Sequence, residues 1–189
     1  DKADIDPDMA GVIWGSGIGG LDTFLRDTRA YVTGDGTPRV SPFFIPMMIS
    51  DIASGHISIK YGLRGPNFTT VAACASSTNA LIDAFNYIRL GKADVFVSGG
   101  SEASIYEAGM GGFNGMHALS TRNDDPSTAS RPFDKDREGF VLGDGDILYV
   151  NGVDNIPKFK MVRTKENFVV KAIVQYHVSQ KLDRYEPGS

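Results

Sequence analysis

NFTTVAACASSTNALIDAFNYIRLGKADVFVSGG, residues 67–100, decides the fold. NFTTVAAC (67–74) is rich in β-branched residues and reads as a strand. SSTNALIDAFNYIRLGK then places Leu81, Ala84, Phe85 and Ile88 at i, i+3, i+4 and i+7, which predicts an amphipathic helix. Ser76, Ser77 and Thr78 supply its start signals, and Gly91 its stop. ADVFVSGG (93–100) is a short apolar run, the pattern of a buried strand.

The same alternation continues on either side. AGVIWGS (10–16) reads as another buried strand that ends in glycine. GIGGLDTFLRDTRAYVTG carries Leu21, Phe24, Leu25 and Tyr31, which predicts a helix broken by Gly34, Asp35 and Gly36. TPRVSPFFIPMMISDIASGHISIKYG holds three prolines and then predicts a helix over about 47–60. EASIYEAGMGGFNGMHALS is interrupted by glycines and partly helical. TRNDDPSTASRPFDKDREG is polar loop, and FVLGDGDILYV (140–150) reads as strand with a glycine break. Strands alternating with helices predict an α/β fold with a largely parallel sheet.

The 189 residues suit one domain or part of a larger one. Hydrophobic residues make up 41% and charged residues 22%, an ordinary globular balance. Net charge is −4, which offers no basic footprint for nucleic acid. Residues 1–145 hold 12 Lys+Arg against 18 Asp+Glu, whereas 146–189 hold 7 against 5, so the tail differs in kind from the body. The one cysteine excludes an internal disulfide and any Cys-rich zinc site. No run approaches the ~20 apolar residues of a membrane span. A reducing, cytoplasmic compartment fits both facts. The opening DKADIDPDMAGVIWGS carries no secretory signal and leads from loop into strand, as expected of a fragment.

Cys74 falls where the strand of 67–74 gives way to the helix. The first turn of a helix leaves N–H groups unpaired and presents the positive end of the dipole. That position favours the thiolate, and the Cys74 N–H with a second donor can form an oxyanion hole. The competing reading is a small buried hydrophobe, and position alone leaves the two balanced. The flanking glycine of a hydrolase elbow is missing. Gly15-Ser-Gly17-Ile-Gly19-Gly20 contains the G-x-G-x-x-G of dinucleotide sites after a strand and before a helix. The acidic residue at the required distance, Asp35, lies in a turn rather than at a strand end. Tight turning beside another site accounts for these glycines better.

His56, His117 and His177 have no metal-ligand spacing, so no metal is expected. His56 reads as a structural helix residue, and His117 as lining a pocket or entrance. Phe43, Phe44, Met47 and Met48 suit either an acyl pocket or a core or interface. DKDREG (134–139) reads as a solvated or salt-bridged turn.

FFIP, ISIKYGLRGPN, VAACASSTNALIDAFNYIRLGKADVFVSGGSEA, GGFNGMHALSTRND and ASRPFDKDREGFVLGDG occur in order. Together they resemble the beta-ketoacyl-acyl carrier protein synthases, and best the long-chain condensing type of bacterial fatty acid synthesis, synthase II. The resemblance covers about residues 9–145. It implies the thiolase-like fold, an α/β sandwich of two similar halves, of which this chain holds most of the first. Residues 1–145 are then a half-domain and 146–189 a tail of unknown character.

The resemblance implies that Cys74 takes an acyl group from a carrier-protein thioester. Malonyl-carrier protein is then decarboxylated and condensed with the acyl-enzyme. It implies no resident cofactor, since phosphopantetheine arrives on the acyl carrier protein. Ile18 matches the residue that gauges acyl length, and Phe113 a pocket wall. Phe43, Phe44 and Ile45 match a segment that reaches the pocket across a homodimer interface. Arg39 matches a basic position near the carrier entrance, and His117 stands where relatives carry an arginine. The family's H-G-T-x-T and K-S-x-x-G-H-like segments, which supply two histidines and a lysine, do not occur in this sequence. The text after Gly145 leaves the family pattern. KENFVVKAIVQYHV there has apolar spacing compatible with a strand or an amphipathic helix.

Overall fold

A computed structural model describes residues 5–143 and, in the remainder, the strand segments 145–147, 151–152, 155–156, 158–163 and 168–173. After a 3-10 turn at Pro7–Met9 come strand β1 (Ala10–Gly15) and helices α1 (Leu21–Thr33), α2 (Phe44–Met48) and α3 (Ile52–Tyr61). Strand β2 (Asn67–Thr70), helix α4 (Ser76–Arg89), strand β3 (Val95–Glu102) and helix α5 (Glu107–Gly115) follow. The later strands are β4 (Gly145–Ile147), β5 (Asn151–Gly152), β6 (Asn155–Ile156), β7 (Lys158–Arg163) and β8 (Phe168–Ile173).

β1 lies between two parallel partners. Val12 stands opposite Asn67 of β2, and Ala10 opposite Val95 of β3. A strand flanked and covered on both faces reads as a continuous apolar run, and Val12 and Ile13 are fully buried. The main sheet runs β2-β1-β3-β7-β8, with β4 also on β3. Its β2–β1–β3 centre is parallel as expected, whereas β4 and β7 join β3 antiparallel. β7 and β8 pair antiparallel, so the part of KENFVVKAIVQYHV described, Phe168–Ile173, is strand. β5 and β6 form a separate two-stranded ladder.

α4 packs on this centre. Its buried residues are Ser76, Ala80, Ala84 and Ile88, an i+4 stripe that holds Ala84 and Ile88 of the expected face and adds Ser76 and Ala80. Phe85 joins from the side, whereas Leu81 is only half-buried. The stripe is small because the helix comes very close to the strands. A Cβ on Gly15 would overlap the backbone of Ser76, and one on Gly100 would lie 2.6 Å from the Ser77 hydroxyl. Ile13, Ala80, Ala84, Ile88, Ala93 and Phe96 form the core, with Phe68, Phe85 and Tyr87 against it. Tyr87 meets Phe68 at 5.5 Å and Phe96 edge-on at 6.0 Å.

Several boundaries differ from the sequence reading. The strand expected over 67–74 ends at Thr70, because the chain turns at Ala73, which has φ 48, into a 3-10 turn at Ala73–Ala75. The helix expected over 47–60 is two helices, divided where Ile49 is extended at φ −73, ψ 144. β3 runs two residues further than expected and so takes in Glu102. In 140–150 only Gly145–Ile147 is a strand. Phe140 makes a single bridge to Leu119, and 148–150 lie outside the described residues. The helix expected after the glycines is present as α1, with Phe24 and Tyr31 about half exposed and only Thr23 buried.

Truncation of Ile13 to alanine removes the central contact between β1 and α4. Urea unfolding followed by the fluorescence of Trp14 should show a loss of about 2–5 kcal/mol.

Candidate active site

Cys74 is exposed, in the middle of the 3-10 turn Ala73–Ala75 and immediately before α4. The buried-hydrophobe reading of the thiol therefore fails. The turn is fixed by Ser76. Its hydroxyl accepts the Ala72 N–H at 2.9 Å and donates to the Ala73 carbonyl at 2.7 Å. The Thr70 hydroxyl donates to the Ser76 carbonyl at 2.8 Å. Ser76 was expected as a cap for α4, but it reaches back to the turn instead. The cap position is Ala75, which makes no side-chain cap bond. The start of α4 just after the thiol therefore has no side-chain cap, while the Ser76 N–H donates to the Ala73 carbonyl.

The glycine-rich turn after β1 lies against this loop. A Cβ on Gly17 would stand 3.3 Å from the Ala73 carbonyl oxygen. On its other side the turn touches the end of α2. The Gly20 N–H donates to the Met48 carbonyl at 2.8 Å, and a Cβ on Gly20 would overlap the Met47 carbonyl. Gly19 takes φ +76, where a side chain would be strained. Ile18, in the middle of this turn, is 43% exposed.

The sequence reading missed what fills the turn. The Glu102 carboxylate accepts the N–H of Gly17 at 2.7 Å, of Ile18 at 2.9 Å and of Gly19 at 3.3 Å. Successive N–H groups converging on one point form a site for an anion. Here the anion is the protein's own carboxylate, so the place a pyrophosphate takes in a dinucleotide site is occupied. Asp35, the other half of that pattern, accepts the Thr37 N–H at 2.9 Å and pairs with Arg39 at 3.0 Å. The Thr37 N–H first, then the Thr37 side chain and more weakly Arg39, holds the Asp35 carboxyl below its usual value. The only sequence signal for Glu102 was its place at the end of an apolar strand, SGGSE.

The other predicted residues stand on separate elements. Phe43 is exposed just before α2, Phe44 opens that helix half-buried, and Ile45 is exposed on it. Arg39 is exposed in the loop before α2. Phe113, on α5, meets Phe140 edge-on at 5.3 Å. His117 is exposed just past α5 with φ 54, its N–H donating to the Asn114 carbonyl at 2.9 Å. The turn of Ile18, the Cys74 loop and the end of α2 are brought together. Phe113, Arg39 and His117 take no part in those contacts. His56 is exposed on α3, and His177 lies outside the described residues. In DKDREG, Glu138 pairs with Arg122 at 3.3 Å, as expected of a salt-bridged turn.

The family model for the beta-ketoacyl synthase N-terminal domain matches residues 1–148. The chain is 49% identical over 147 residues to 3-oxoacyl-acyl-carrier-protein synthase 2 of Synechocystis sp., covering 78% of this chain and 35% of that protein. It is 48% identical over 155 residues to the chloroplastic 3-oxoacyl-acyl-carrier-protein synthase I of Arabidopsis thaliana, covering 82% and 33%. Among solved structures, a beta-ketoacyl synthase from Burkholderia phymatum superposes with a TM-score of 0.66 at 30% identity, over 74% of this chain and 34% of that one. The chain belongs to the beta-ketoacyl synthase family, and its α/β architecture is part of the thiolase-like fold. It spans about a third of the length of these curated relatives.

Ser76→Ala removes both bonds that pin the Cys74 turn. It should cost about 1–3 kcal/mol in urea unfolding. The exposed Thr78→Ala, one turn edge away, should stay within about 0.5 kcal/mol of wild type.

Proposed function

We propose that this chain is the acyl-accepting half of a fatty acid condensing enzyme, with Cys74 as nucleophile. The observation that carries this reading is the exposed thiol at an uncapped helix start, in a loop braced by the turn that holds Ile18. The Cys74 thiolate attacks the acyl carbonyl of a carrier-protein thioester. The new bond is the Cys74 thioester, and the phosphopantetheine thiol leaves with its proton. N–H groups at the start of α4 stabilise negative charge developing in that step. Decarboxylation of malonyl-carrier protein and attack of the carbanion on the acyl-enzyme complete the condensation. Those steps need the histidine and lysine segments that this sequence does not contain.

Ile18 gauges the acyl chain, Phe113 walls the pocket, and Phe43, Phe44 and Ile45 reach a second copy's pocket. Arg39 and His117 face the acidic carrier protein, and the enzyme works in the cytoplasm without a resident cofactor. The half-domain is residues 1–145. The names of the relatives support the carrier-protein substrate. Among the described residues no helix is long and apolar enough to cross a membrane.

A second reading, a non-catalytic half-domain docked on a partner or second copy, is favoured by the apolar surface of α1 to α3. Val32, Phe43 and Ile59 are 71%, 67% and 81% exposed. On that reading light scattering shows self-association, and a monodisperse monomer counts against it.

Intact mass after mixing the chain with an acyl-carrier-protein thioester tests the first reading. An acyl adduct on wild type and none on Cys74→Ala is expected. No adduct on either contradicts it. Steady-state condensation by the chain alone should be undetectable.

A further inference from the structure

The carboxylate of Glu102 is the one acidic group held by three consecutive backbone N–H groups among the described residues. We infer that Glu102 is a positioning residue for acyl-length selection, acting through the turn it fills rather than by touching the acyl chain. This rests on the proposed reading in which an acyl group on Cys74 runs past Ile18.

Residues 17–19 are short of side chains that could anchor them: Gly17 and Gly19 have none, and Ile18 is 43% exposed. What fixes the turn is polar and comes from β3. The Ser101 hydroxyl accepts the Trp14 indole N–H at 2.9 Å, and the next residue, Glu102, closes on the turn itself. The Ser16 hydroxyl reaches the same carboxylate at 3.5 Å. Two successive side chains at the end of β3 thus clamp the end of β1 and the turn that leaves it. Gly17 meets the Ala73 carbonyl, one bond from Cys74, while Gly20 is tied to α2. Three of these N–H groups point at one place, so neutralising or removing the carboxylate leaves them converging on nothing. The turn then relaxes, and with it the offset between Ile18 and Cys74. An apolar pocket discriminates chain lengths through contacts of methylene size, so small movements of Ile18 are read as selectivity.

The test needs no carrier protein. N-alkyl chloroacetamides of short and long alkyl chain label Cys74 by displacing chloride, and intact mass gives the rate for each. The ratio of long-chain to short-chain rates is the readout, because general loosening of the fold changes both rates together. Wild type, Ile18→Phe, Glu102→Gln and Glu102→Ala are compared, with Trp14 fluorescence reporting the fold. Glu102→Gln keeps the shape and carries the test if Glu102→Ala does not fold. The expected result is a change of about tenfold in the ratio for Ile18→Phe and for the Glu102 variants. Added acetate, which can enter the emptied turn, should return Glu102→Ala toward the wild-type ratio. A ratio moved by Ile18→Phe but not by either Glu102 variant overturns the positioning role and leaves the reading of Ile18 intact. A ratio moved by none of them overturns the Ile18 reading, and the role of Glu102 with it.

Discussion

The start of α4 rests directly on the ends of β1 and β3, and the rest of the site depends on that contact. It is possible only because Gly15 and Gly100, paired across the two strands, present no side chain where Ser76 and Ser77 arrive. Any larger residue at either position pushes the helix off the sheet. With the helix in place, the strand β2 must end at Thr70 and the chain must turn sharply through Ala73 to enter it. Cys74 sits at the apex of that turn, exposed rather than packed. The exposure of Cys74 is therefore a product of close packing beneath it.

The second constraint is charge. A turn rich in glycine exposes backbone N–H groups, and such groups need an acceptor. In a dinucleotide site the acceptor is a ligand. Here it is Glu102, two residues beyond Gly100 on the same strand, so the strand that seats the helix also fills the turn. The turn in turn touches the Cys74 loop on one side and the end of α2 on the other. Glycine-rich spacing alone does not separate these cases. The difference lies in whether an internal carboxylate reaches the turn, and that is a property of the sheet register.

Much of this was legible in the sequence. The strand–helix–strand order around 67–100 gave the parallel centre, because apolar periods of different kind mark strands and helices. Cys74 at the strand-to-helix boundary was legible for the same reason, although position alone did not separate nucleophile from core residue. Exposure, which only the packing sets, removes the core reading and leaves the nucleophile as the proposal. The buried stripe of α4 kept Ala84 and Ile88 but took in Ala80 rather than Leu81, because closeness to the sheet favours small residues, a demand invisible to periodicity. Ser76 looked like a helix cap and serves the preceding turn. Glu102 carried no signal beyond its place at the end of an apolar strand, since its partners are backbone groups some 85 positions away in the chain. Phe113, Arg39 and His117 came from the family resemblance and stand on separate elements from the Cys74 loop.

On the proposed reading, folding presents Cys74 as a nucleophile. The most direct test is the rate of its reaction with iodoacetamide at neutral pH, in the native chain and in the same chain unfolded in urea. Faster reaction is expected in the native chain, because the exposed thiol immediately precedes a helix start without a side-chain cap only when the helix is seated. A native rate equal to or below that of the unfolded chain would contradict it.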